Sequence, residues 1–171
     1  MSAIHAPDDS AKVLYLQDES ATEALGAWLA DVVEPGLVIW LSGDLGAGKT
    51  TLTRGLLRAL GHAGSVKSPT YTLIEPYVVS KIPLYHFDFY RFSDPEEFLD
   101  AGLEEYFAGD AVCLVEWADK AGPYVPRPDI EIRLVVEGNG RRAECRGVSE
   151  RGRACLNTSK SIPASIRGEP S

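Results

Sequence analysis

Several things are scarce in this sequence, and each scarcity excludes something. Cysteine occurs three times, at Cys113, Cys145 and Cys155, an odd count with no CxxC pair. That excludes a disulfide framework and a zinc site, and it fits a reducing compartment. No apolar run approaches the ~18 residues needed to span a bilayer. The opening MSAIHAPDDSAK has no basic flank leading into an apolar stretch. No membrane contact and no secretory signal are therefore expected, and the expected location is the cytoplasm. Basic residues are outnumbered, 17 Lys+Arg against 25 Asp+Glu, for a net charge of −8. The deficit lies in the body: residues 1–140 carry 10 basic and 22 acidic side chains, whereas residues 141–171 carry 7 and 3. An acidic body does not grip nucleic acid by itself, because phosphate binding needs clustered Lys and Arg.

What is present is enough for one domain: 171 residues, 44% of them hydrophobic. Val13 to Leu16 reads as a short strand, and Ser20-Ala-Thr-Glu23 as a capping box. Leu25, Trp28, Leu29, Val32 and Val33 follow at helical spacing until Pro35-Gly36 stops them. Leu37 to Leu41 is a continuous apolar run, the mark of a strand buried on both faces. Leu52, Leu56, Leu57 and Leu60 form the face of a second helix, ended by Gly61. Thr72–Val79 and Ile82–Tyr90 are β-rich and close enough to pair as a hairpin. Asp94-Pro95-Glu96-Glu97 opens another helix, with Phe98, Leu99, Leu103 and Phe107 as its buried side. Ala111–Val115 is a buried-type strand. Ile130, Ile132, Leu134 and Val136 alternate before Gly138-Asn139-Gly140 turns the chain back through Arg142–Val148. Strands alternating with helices predict an α/β fold, with a mixed, mostly parallel central sheet flanked by helices. The expected division is a flexible N-terminus at 1–12, one domain at 13–148, and a basic, flexible C-terminal tail at 149–171.

The chemistry starts at Gly43-Asp44-Leu45-Gly46-Ala47-Gly48-Lys49-Thr50, continued by Thr51. This is GxxxxGK[ST], directly after a buried strand and opening a helix, the P-loop context. Its glycines let successive N–H groups wrap a polyphosphate, and the helix N-terminus adds partial positive charge. Lys49 supplies a full charge to the β- and γ-phosphates, and the Thr50 hydroxyl is a ligand for Mg²⁺. Acids are then needed. Glu116 follows the apolar run Val112–Val115, where ligands of open α/β sheets bind. Asp88 lies in Leu84-Tyr-His-Phe-Asp-Phe-Tyr90, on the same strand face as Leu84, His86 and Tyr90; so placed, it needs a partner, Mg²⁺, its water shell or Arg91. His86 reads as a satisfied strand histidine rather than a base. Ser68-Pro-Thr70-Tyr71-Thr72 fits a switch segment that senses the γ-phosphate, and an ordinary Pro-containing turn equally well. Trp117 fits core packing as well as a place beside a nucleotide.

These residues alone leave three classes open: an accessory ATPase driving a protein complex, a small P-loop kinase acting on a small molecule, and a regulatory GTPase. Against a kinase, Arg91 is the only arginine between Arg58 and Arg127, too few for an arginine-rich lid. Against a GTPase, asparagine occurs only at 139 and 157, neither followed by Lys, so no NKxD motif exists.

Taken together, GDLGAGKTTL, SPTYTL, HFDFYR and VEWAD, in this order and spacing, resemble the bacterial TsaE (YjeE) ATPases over about residues 13–147. The resemblance implies a P-loop fold with its own strand arrangement. It also implies Mg²⁺-dependent ATP hydrolysis in the making of threonylcarbamoyladenosine, the modified base beside the anticodon of tRNA. The implied partners are TsaB and TsaD, which hold the transfer site; tRNA is met only through that complex, which hydrolysis resets between turnovers. Carried over by position, Lys49 and its loop bind ATP, and Thr50 and Glu116 bind Mg²⁺. Asp88 becomes the essential acid, as ligand or water-positioning group. Thr70 lies in a switch-like loop and Trp117 near the nucleotide.

Overall fold

The computed structural model describes residues 11–79, 82–158 and 160–168. Of the expected flexible segment 1–12, residues 1–10 lie outside these, and Lys12 opens strand β1 (Lys12–Leu16). Helix α1 (Glu19–Val32) follows, capped by Asp18, whose carboxylate accepts the Ala21 N–H at 2.9 Å. The cap thus forms two residues ahead of the expected Ser20, because Asp caps as well as Ser and stands closer to the end of β1. Strand β2 (Val38–Gly43) runs into helix α2 (Lys49–Leu60), which Gly61 ends in the left-handed conformation. Strands β3 (Ile74–Tyr77) and β4 (Leu84–Asp88) pair as the antiparallel hairpin expected.

The helix expected after Asp94 is only one turn long, α3 (Glu97–Asp100). Its start is well tied, with the Glu97 carboxylate accepting the N–H groups of Ser93 and Asp94. Gly102, at φ +66°, then breaks it, and Leu103–Phe107 is a separate 3₁₀ segment. Phe98 and Leu103 are buried, but Leu99 faces solvent. Strand β5 (Val112–Glu116), strand β6 (Ile130–Glu137) and strand β7 (Gly140–Gly147) complete the main sheet.

Residues 149–158 and 160–168, expected as a flexible tail, carry regular structure. Ser149 caps helix α4 (Glu150–Leu156), its hydroxyl accepting the Gly152 N–H and donating to Asp129. Cys155, Leu156 and Ile166 are buried in the main core, and strand β8 (Arg167–Gly168) pairs antiparallel with β1. These apolar residues are too few and too widely spaced to show a period. They fill a groove made by the rest of the chain, which no local pattern reveals.

Among the described residues the sheet order is β3-β4-β5-β2-β6-β7-β1-β8. The centre, β4-β5-β2-β6, is parallel, and the flanking pairs are antiparallel. Two registers position the site: Leu41 of β2 lies opposite Glu116 of β5, and Glu116 opposite Asp88 of β4. The carboxyl ends of β4 and β5 therefore finish level, and β2 runs on from Leu41 to Gly43 and into the loop beside them. One face of the sheet packs against α1, α2 and α4 through fully buried leucines such as Leu25, Leu29, Leu52 and Leu56. The other carries an aromatic cluster in which Phe87 stacks on Phe107 and Phe89 on Phe92, each at 4.8 Å.

Helices α1 and α2 cross through two glycines. A Cβ on Gly55 would lie 2.1 Å from the Glu23 carbonyl oxygen, and one on Gly26 2.2 Å from that of Leu52. This crossing sets the height of α2, and hence of its first turn, above the sheet. Among the described residues, no helix is long and apolar enough to cross a membrane.

Candidate phosphate-binding site

The turn between β2 and α2 presents backbone donors. Gly48, at φ +103°, stands immediately ahead of α2 in a conformation closed to most side chains, and no side chain caps the helix. The free N–H groups of its first turn are a ready anion site. Lys49, the first helical residue, places Nζ 3.6 Å from Glu116 Oε1 and 5.3 Å from the centre of the Trp117 ring.

Glu116 is buried at the end of β5. His86 Nε2 lies 2.7 Å from its Oε2, so the two carboxylate oxygens face different basic side chains. Burial alone would raise the Glu116 pKa, but the hydrogen bond and charge of His86, followed by Lys49, outweigh it and hold the carboxyl below the usual glutamate range. Buried Asp88 is also partnered on both oxygens. Its Oδ1 accepts the Tyr90 N–H at 2.9 Å, and its Oδ2 accepts the Thr70 hydroxyl at 3.1 Å. Ser68 joins through Thr70 at 2.9 Å. The segment read as either a switch or a turn is thus tied by its hydroxyls to the acid on β4. Trp117 sits at φ 58°, a strained conformation for a bulky residue, of the kind that collects at functional sites.

These groups surround one cavity of about 590 Å³, the size of a nucleotide or cofactor site. Of the residues expected in the site, Leu45, Gly46, Gly48, Lys49, Thr50, Thr51, Thr70, Asp88, Glu116 and Trp117 line it. Gly43, Asp44 and Ala47 do not. Ala47 is buried with its N–H on the Asp44 carbonyl, and Gly43 faces a second hollow of about 290 Å³ across Lys49, between Trp40, Trp117 and Asp119. Arg91 lies outside the cavity, 4.6 Å over the ring of Tyr71.

The oxygen donors available to a cation are the Thr50 hydroxyl and the carboxylates of Asp88 and Glu116. Such hard oxygens suit Mg²⁺, which completes its shell with phosphate and water. The described residues hold no group of three His, Cys, Asp or Glu that would bind a metal unaided. The donor set therefore fits an ion that arrives with phosphates.

Sequence reasoning missed two neighbours of the site. His86 reads as a strand histidine, yet it is the closest partner of Glu116; its Nδ1 is buried with no hydrogen-bond partner among the described residues. Arg141, in the strand after the glycine turn, reaches the loop itself, donating to the carbonyls of Gly46 and Ala47. The alternation of Leu84, His86 and Asp88 toward one face was a usable signal for His86. No local pattern links Arg141 to a loop so far away in the chain.

Comparison with known proteins agrees with this geometry. The family model described as threonylcarbamoyl adenosine biosynthesis protein TsaE matches residues 16–144. The chain is 43% identical over 135 residues to the TsaE protein of Haemophilus influenzae, covering 76% of this chain and 85% of that one. It is 45% identical over 121 residues to that of Bacillus subtilis, covering 71% and 75%. The crystal structure of YdiB from Bacillus subtilis superposes with a TM-score of 0.74 at 34% identity, covering 85% of this chain and 90% of that one. A P-loop α/β fold, a glycine-rich loop facing two carboxylates, and matches of this extent lead to one conclusion: the chain belongs to the TsaE family of tRNA threonylcarbamoyladenosine biosynthesis proteins.

Proposed function

We propose that the chain is a Mg²⁺-dependent ATPase that supports threonylcarbamoyladenosine formation in the cytoplasm. It binds the TsaB–TsaD complex and resets it between turnovers, without itself transferring the threonylcarbamoyl group. The observation that carries this reading is the convergence of Lys49, Thr50, Asp88 and Glu116 on one cavity at the uncapped start of α2. The first-turn N–H groups and Lys49 bind the triphosphate. Thr50 and Glu116 would hold Mg²⁺, which would neutralise negative charge on the triphosphate. Asp88, held by the Tyr90 N–H and the Thr70 hydroxyl, would either serve as a metal ligand or accept a hydrogen bond from the attacking water and so position it. His86 and Lys49 keep Glu116 ionised and aimed.

Alone, the protein is a slow catalyst. Phosphoryl transfer needs positive charge around the transferring group, and among the described residues Lys49 is the only basic side chain lining the cavity. The rim is apolar and open, with Leu45 and Tyr71 almost wholly exposed and Tyr90 about half so. A protein docking there would cover that surface, exclude water and order Ser68–Thr72. The test is ATP turnover by the purified chain with and without TsaB, TsaD and tRNA of its own organism. The reading expects at least a several-fold rise with the complex. A chain that is fast alone and indifferent to those proteins refutes it.

A further inference from the structure

We propose that Arg141 is a positioning residue for the phosphate loop, a brace that keeps the loop in its anion-binding shape before any ligand arrives. The proposal rests on the reading of this loop as a polyphosphate site. Three donors of one guanidinium take three carbonyls: Nη2 to Gly46 O at 2.9 Å, Nε to Ala47 O at 3.2 Å, and Nη1 to Gly140 O at 2.9 Å. Two of these bonds hold the loop, and the third ties the same planar group to its own hairpin. A fork of this shape is specific to arginine.

The loop has little else to hold its tip. Leu45 is completely exposed, and a side chain built on Gly46 would meet no atom within 4 Å. Gly46, at φ +81°, and Gly48, at φ +103°, are also the residues most free to reorient. A trans peptide carries its C=O and N–H on opposite sides. Fixing the Ala47 carbonyl on Arg141 therefore turns the Gly48 N–H away from Arg141, and fixing that of Gly46 sends the Ala47 N–H to the Asp44 carbonyl, where it bonds at 3.0 Å. The brace thus decides which way the loop amides face.

Arg141 itself stands on firm ground. It pairs in register with Leu16 of β1 on one side and Val136 of β6 on the other. Gly140 before it lets β1 approach so closely that a Cβ there would lie 2.5 Å from the Leu16 carbonyl oxygen. Its neighbour Arg142 is neutralised by Glu137 and Glu144, but among the described residues no carboxylate pairs with Arg141. Its charge remains free to favour an anion in the loop.

The test uses the full chain, with Arg141→Lys, Arg141→Gln and Lys49→Ala. Binding of Mg²⁺–tripolyphosphate and of Mg²⁺–ATP is measured by calorimetry, and the Gly46, Ala47 and Gly48 amides are followed by NMR. Tripolyphosphate isolates the loop from any contact to base or ribose. Both Arg141 variants should bind both ligands roughly tenfold or more weakly, as expected for losing charge-assisted bonds that hold the loop. The loop amides of the ligand-free variants should shift or broaden and recover on saturation. A merely structural Arg141 would lower the melting temperature yet leave both affinities and those amides unchanged, and that result overturns the proposal. Wild-type affinity in Arg141→Lys would show that charge suffices without the fork, and it too overturns it. If Lys49→Ala also binds like wild type, the phosphate-site reading itself has failed. If Lys49→Ala is weak while the Arg141 variants are normal, only the brace has failed.

Discussion

Gly55→Ala puts two opposing effects of similar size against each other, and the structure decides the winner. Alanine is the better helix former by about 1 kcal/mol in a helix interior. On that ground alone the substitution would stabilise α2. Yet the new Cβ would stand 2.1 Å from the Glu23 carbonyl oxygen, with the Glu23 carbonyl carbon and Cα at 2.8 and 2.9 Å. All three are backbone atoms of α1 and cannot rotate aside. The helices must separate by more than an ångström, loosening leucines that are now fully buried between them and the sheet. Overpacking costs about 1–3 kcal/mol even where side chains can yield, and here they cannot. We expect a net loss of about 2 kcal/mol, the clash outweighing the propensity. For a chain of this length that lowers the melting temperature by roughly 4–8 °C. Urea denaturation followed by far-UV circular dichroism measures it. A midpoint equal to or above wild type would mean that the α1–α2 contact is looser than described, and the reasoning would fall.

Further outcomes follow from the site. Glu116→Gln removes the anion that His86 and Lys49 share, so ATP should still bind in part while hydrolysis is lost; wild-type phosphate release would take Glu116 out of the reaction, and Asp88→Asn is read the same way. Trp117→Phe should abolish the fluorescence change on adding Mg²⁺–ATP. Trp28→Phe should preserve it, because Trp28 is buried in α1 with its indole N–H on the Lys160 carbonyl; the reverse pattern would place the nucleotide elsewhere. Burial pushes the thiols of Cys113 and Cys145 up to about 12, so the native protein should react with a thiol reagent at neutral pH far more slowly than the urea-unfolded chain. The linked effect on stability has a definite sign. Above the ordinary thiol value of 9.0 the unfolded chain loses these protons and the folded one keeps them, so stability falls as pH rises from there. Cys145→Ala should flatten that fall, and an unchanged alkaline profile would contradict the assignment.

The sequence by itself determined most of the elements and the glycine-rich loop between β2 and α2. Gly43 to Thr50 must follow a buried strand and open a helix, and the apolar run Leu37–Leu41 with the leucine face from Leu52 to Leu60 shows that they do. These signals are local, set by periods of two and 3.6 residues and by capping chemistry. Glu116 and Asp88 were legible as acids near strand ends for the same reason. What only the tertiary structure decided is which distant groups meet. The registers of β2, β5 and β4 set Glu116 beside both Lys49 and His86, and brought Asp88 level with them. The hairpin register carried Arg141 to the loop. Cys155, Leu156 and Ile166 found a groove that their own segment does not encode, turning an expected tail into α4 and β8. Strand order and register come from the packing of the whole core, an energy summed over residues far apart in the chain, and no window along the sequence contains that sum.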